Sequence, residues 1–233
     1  MKFATSVIPL VFLALSPIFA GEVKIKIDGS FDDWEGIKAY PDPEGDTFGG
    51  PEDPTIDILE CRIADDGQFL YVFVTVKDDI ANGKTDRGAY QTVIDADNDY
   101  NSGIQSDKEA PYPPHEGPLG VDFYISVETK QGVYQGVELH RYGPDAVDIG
   151  QEEEVLGAEL EAVVVKNKYE LKCDLKSLGV ERGDTLRLTI LHYSAADTVD
   201  WIMPPIDYVL GESMFGLEPG SKLALLWGGL KRR

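Results

Sequence analysis

Between Asp95 and Gly103 the sequence reads DADNDYNSG, which places side-chain oxygens on alternate positions at Asp95, Asp97, Asp99 and Asn101. Short carboxylate and amide side chains on a tight loop suit Ca2+, which takes about six to eight oxygen ligands. The spacing matches a helix-loop-helix calcium hand only in part, because Tyr100 stands where that loop needs Gly and Ser106 where it needs a bidentate Glu. Any site here is therefore discontinuous, with Asp107, Glu109 or Asp122 as further ligands supplied by the fold. The competing expectation is an Asp/Asn-rich turn whose side chains bond their own backbone. Four donors within seven residues exceed what a turn requires, so structural calcium is the expected occupant.

Other chemistries find less support. PHEGPLG lacks the second His of a zinc-protease helix, no Ser lies in a nucleophile elbow, and neither Cys has an assignable base. Acid pairs such as Asp78 and Asp79 abound, but glycoside hydrolysis needs a set spatial separation. The expectation is that the chain is not an enzyme. Cys61 and Cys173, the only two cysteines, each fall on the apolar side of an alternating run. Two alternatives stay open: a disulfide across a sandwich, or two separate buried thiols.

The elements that must position these residues read as strands. VKIKID and IDILECRIA alternate, and FLYVFVTV is continuously apolar or β-branched, as in a central strand covered on both faces. AYQTVID, VDFYISVE, VYQGVELHRY, AELEAVVV, KYELKCDL and TLRLTILHYS continue the series, with DDGQ, KQG and KNK as hairpin turns. Only DLKSLG looks helical, with Asp174 as N-cap and Gly179 as terminator. The expected fold is all-β, an antiparallel β-sandwich of jelly-roll or immunoglobulin-like type. Two long polar loops, 41–54 and 101–120, interrupt it, and LALLWGGLKRR reads as a last strand with a basic tail.

Lys2, the apolar run to Ala20 and the Gly21-Glu22 start that follows read as a secretory signal, 1–20, ahead of one domain, 21–233. Pro9, Ser16 and Pro17 interrupt a run shorter than the roughly 20 residues of a membrane span. The expected location is secreted, periplasmic or cell-surface, with no span after cleavage. A formal charge of −21 argues against nucleic acid, whose phosphates need a basic face. Most of these acids read as a solvated surface.

IDGSFDDWEG, LYVFVTVKDD, VIDADNDYNSG and GVDFYISVE resemble, in that order, signature segments of family-9 carbohydrate-binding modules and their DOMON-like sandwich relatives. YELKCDLKSLGVERGDTLRLTILHYSAAD resembles that family's late hairpin and strand. The resemblance covers most of residues 22–201; it implies a sandwich whose acidic loop holds calcium, and a ligand that is carbohydrate or a cell-surface polymer. The QSDKEAPYPPHEGP insertion departs from the family's shorter loop. Sugar recognition needs flat aromatic faces beside planar polar side chains. Trp201, in a loop at a strand end, leads the stacking candidates, followed by Trp227 and Tyr193, with Tyr112, Tyr124 and Tyr142 as further contributors. Trp34 reads as a core plug, its turn capped by Asp32 and Asp33. Two alternatives remain: an envelope assembly domain without a small ligand, and a b-type haem electron-transfer domain with Met203, Met214, His140 and His192 as candidate ligands, Met203 and His192 foremost. There is no C-x-x-C-H for covalent haem.

Overall fold

The computed structural model describes residues 24–106 and 118–211. The proposed signal, Asp107, Glu109, Tyr112, Met214, Trp227 and the basic tail lie outside the described residues. In chain order the strands are β1 (Ala39–Pro41), β2 (Phe48–Gly49), β3 (Ile58–Asp65), β4 (Phe69–Val76), β5 (Gly88–Asp95), β6 (Ile104–Gln105), β7 (Gly120–Val121) and β8 (Phe123–Lys130). β9 (Val133–Arg141), β10 (Glu153–Glu154), β11 (Leu160–Val165), β12 (Lys168–Asp174), β13 (Thr185–Ser194), β14 (Thr198–Trp201) and β15 (Ile206–Val209) complete the series. Helical structure among the described residues is confined to three short 3-10 turns.

Two antiparallel sheets form the sandwich, as the period-2 patterns require. The smaller runs β1-β3-β4-β12-β11; the larger runs β10-β9-β8-β5-β13-β14-β2, with β15 also on β13. Between them lie Leu70, Val72, Val74 and Val76 of β4, Tyr169 and Leu171 of β12, and Tyr90, Ile94, Ile125, Val127, Leu188 and Ile190 from the larger sheet. Fully burying one such side chain contributes about 1.5–3 kcal/mol.

β4 is apolar throughout because both its faces are covered. On its other face Tyr71 and Phe73, with Phe69 at the margin, pack beneath Ile25, Trp34 and Ile37, so Trp34 is the plug its sequence context indicates. Glu170 of β12 holds this N-terminal layer down: its carboxylate accepts from Trp34 Nε1 at 2.7 Å and from the Asp28 and Gly29 amides at 3.0 and 2.9 Å. Of VKIKID, expected as a strand, the described residues 24–28 lie over the sheet without pairing in it, tied through Ile25 and Ile27 and through Lys26 N to Asp33 Oδ2.

Two further expectations change, and the alternatives left open at the cysteines are decided. DLKSLG is a hydrogen-bonded turn and not a helix; Asp174 Oδ1 does accept from Ser177 N at 2.9 Å, but no helical run follows. Alternation in IDILECRIA sets Leu59 inward with Cys61 and Ile63, but a register shift between Ile58 and Glu60 turns Ile58 into the core in place of Leu59. The cysteines are free and buried, and both lie on the smaller sheet. Cys61 pairs with Val74 and Cys173 with Leu70, on opposite sides of β4. Two strand spacings and a four-residue offset separate their Cα atoms by roughly 16 Å, beyond the ~7 Å limit of a disulfide. Of the two alternatives, the structure holds the two separate buried thiols and not the bridge across the sandwich.

Candidate functional site

Asp95 is the last residue of β5, Asp97 follows in the loop, and Asp122 joins β7 to β8. One carboxylate oxygen from each lies within 4.8 Å of the others. Asp95 is 1 % exposed, its Oδ2 accepts from Gly120 N at 3.3 Å, and its Oδ1 has no hydrogen-bond partner. Burial, with the Asp122 and Asp97 charges beside it, lifts the Asp95 carboxyl to about 6, and burial raises Asp122 as well. Asp122 Oδ2 accepts from Ala96 N at 2.8 Å, which closes the loop onto β5. Three anionic oxygens converging on one point, one of them buried and unsatisfied, fit a hard divalent cation.

The other residues of the spaced motif serve the loop. Asp99 Oδ1 accepts from Asn101 N and Asn101 Nδ2, both at 2.9 Å, and these bonds hold the Asp99 carboxyl below its ordinary value. That pair is the self-bonded turn the composition also allowed. Ser102, absent from the sequence-derived set, stands among the carboxylates, its Oγ 3.1 Å from both Asp97 oxygens and 3.2 Å from Asp122 Oδ1. Gly120 is required where it stands, since a Cβ there would collide with the Asp99 and Ser102 carbonyl oxygens.

A second acidic cluster escaped the sequence: Asp42, Asp46 and Asp200, whose oxygens also lie within 4.8 Å of one another. Burial and the neighbouring Asp200, Asp46 and Asp57 charges lift Asp42 to about 8; burial lifts Asp200 to about 7. Asp200 Oδ2 accepts from Ile58 N at 2.6 Å, at the bulge of β3. No spacing marks these residues, because Asp42 follows β1 of the smaller sheet and Asp200 lies in β14 of the larger, and the cluster forms where the two sheets meet.

The outer face of the larger sheet carries the aromatic residues. Trp201 lies within β14, not in a loop, opposite Leu191, and that row continues through Gln91 to Ser126. The next row runs Phe48, Val199, Tyr193, Ala89, Glu128. Phe48 meets Trp201 edge-on at 4.3 Å. Arg87 spans the small Ala89 position: its guanidinium sits 5.2 Å from the Tyr193 ring centre and makes two 2.8 Å bonds to Glu128, which also accepts from Ser126 Oγ at 2.6 Å. Tyr124, stacked on His140 at 4.7 Å, lies further down the same face beside Tyr142. The ribbon β6–β7 covers this lower part: Ile104, Leu119 and Val121 are buried against Val93, Tyr124, Leu191 and Val199, with Tyr193 and Trp201 packed at the margin. Trp34, on the far side of the other sheet, cannot pair with Trp201 across a ligand.

Of the haem candidates, both histidines already have partners. His192 is fully buried on the inner face, with Nδ1 3.1 Å from Ile56 O and Nε2 3.0 Å from the Tyr169 hydroxyl. Because a carbonyl only accepts, Nδ1 carries the proton and Nε2 accepts from Tyr169. Iron ligation by His192 requires breaking one of these bonds. His140 is engaged by Glu138 at 3.1 Å and by its stack on Tyr124. Met203 lies in the connection between β14 and β15.

No protein-family model matches this chain, and no curated protein matches it in sequence. What stands is the class: an all-β protein of two packed antiparallel sheets, with a carboxylate cluster at one strand end and an aromatic outer face beside it.

Proposed function

We propose that this chain is an exported, non-catalytic binding module that takes carbohydrate on the outer face of its larger sheet and is braced by calcium at Asp95, Asp97 and Asp122. The observation that carries the ligand reading is the juxtaposition of Trp201, Phe48 and Tyr193 with the Arg87–Glu128 pair on one face. Aromatic rings offer apolar faces for pyranose C–H surfaces, and a guanidinium–carboxylate fork offers in-plane donors and acceptors for neighbouring hydroxyls. The strongly acidic surface and the pairing of Arg87 with Glu128 leave polyanions poorly accommodated. Calcium is structural in this reading, neutralising carboxylates that otherwise repel each other.

The test is a glycan array in calcium buffer, followed by affinity measurement on the best hit. Trp201→Ala and Arg87→Ala each lower affinity by about tenfold or more, the scale of a binding hot spot. Binding that survives Trp201→Ala undiminished refutes this face as the site. Absence of glycan binding, with concentration-dependent self-association, transfers the assignment to an envelope assembly domain.

A further inference from the structure

We infer that cation binding at Asp95, Asp97 and Asp122 is coupled to the conformation of the Trp201–Tyr193 face through the ribbon β6–β7, so that cation and face ligand strengthen each other's binding. The inference rests on the site assignments proposed above and adds their regulation. Asp95 belongs to β5, while Asp122 is the residue directly after β7. Drawing those two carboxylates together therefore draws the base of the ribbon onto the central strand. Gly120 N bonds Asp95 Oδ2 across the same gap, and Asp122 N donates to Ile94 O at 3.0 Å. The buried Asp95 Oδ1, without a partner, is the feature that asks for a ligand there.

The ribbon transmits the change by packing. Ile104, Leu119 and Val121 are at most 2 % exposed, and they share one apolar cluster with Leu191 and Val199, the strand partners of Trp201 and Tyr193. Three uncompensated carboxylates at the ribbon's base push it away from β5; a divalent cation reverses the sign of that force. Close-packed side chains do not deform continuously, so a shift of Leu119 and Val121 alters the support under Leu191, Val199 and the two rings. By linkage, a ligand that prefers the supported face raises cation affinity by the same factor by which the cation raises its own.

The test needs calcium alone as probe. The chelator-stripped mature protein is titrated with calcium while three quantities are followed: heat of binding, amide exchange along the chain, and the fluorescence difference between wild type and Trp201→Phe. The expected result is one binding midpoint at which exchange slows at 104–106 and 119–122 by about fivefold or more and the Trp201-dependent emission shifts. Leu119→Ala and Val121→Ala retain calcium binding and lose most of the Trp201 response. Calcium that binds and protects 95–102 while the ribbon and Trp201 stay unchanged overturns the coupling and leaves the cation site standing. No calcium binding at millimolar concentration overturns both. Failure of the carbohydrate assignment reads out separately, as no glycan bound in saturating calcium.

Discussion

Acid sensitivity centred on His192 follows from its burial. The ring is wholly enclosed, and burial pushes its ionisation down from the ordinary 6.5 to about 3. The unfolded chain takes up a proton near pH 6.5 that the folded chain refuses, so the contribution to stability is full above that value and is lost as pH falls toward 3. Each pH unit between the two values carries about 1.4 kcal/mol. Moving from pH 7 to pH 4.5 therefore removes about 2.5 kcal/mol through this one residue, or roughly 5–10 °C of melting temperature for a domain of this size. His192→Gln keeps an acceptor for Tyr169 and a donor for Ile56 O without the titration. Asp42, Asp95 and Asp200, whose raised carboxyls stabilise the fold on protonation, act with the opposite sign but are common to both proteins and cancel in the comparison. The assay is melting temperature against pH from 7.5 to 4.5, with the gap between wild type and His192→Gln closing or inverting toward acid. Parallel curves would refute the assignment of a neutral, proton-excluding His192.

Glu170→Ala leaves the buried Trp34 indole and two backbone amides without their acceptor and costs about 3 kcal/mol; Trp34 emission shifts to the red and the N-terminal segment becomes protease-sensitive, whereas Glu170→Gln retains part of both properties. Calcium at a hundredfold excess over its Kd adds about 2.7 kcal/mol of stability; chelation reverses the gain and Asp122→Asn abolishes it, and an unchanged melting curve with no metal by elemental analysis sinks the site. Cys61 and Cys173 stay unreactive toward thiol reagents in the native protein, since burial lifts both thiols and takes Cys173 to about 12; two thiols titrate after unfolding, and reductant leaves the melting temperature in place.

Strand content was legible in the sequence because side-chain alternation is a local property: β4, β5, β8, β9, β12 and β13 fall on the runs that announce them. The end of β5 at Asp95 was legible for the same reason, whereas Trp34 was marked as a plug by its context but is seated by Tyr71, Phe73 and the distant Glu170. Register was not local. A shift at Ile58 moved Leu59 out of the core, and the pairing of both β3 and β12 with β4, invisible in sequence, put Cys61 and Cys173 on one sheet. Composition marked the Asp95 loop as acidic, but only the return of the chain at Gly120–Asp122 chose Asp122 and Ser102 as neighbours and left Asp99 bonded to Asn101. The Asp42–Asp46–Asp200 cluster and the row from Trp201 to Ser126 belong wholly to the tertiary structure: the meeting of the two sheets makes the first, and pairing between distant strands makes the second, each joining residues that no spacing connects.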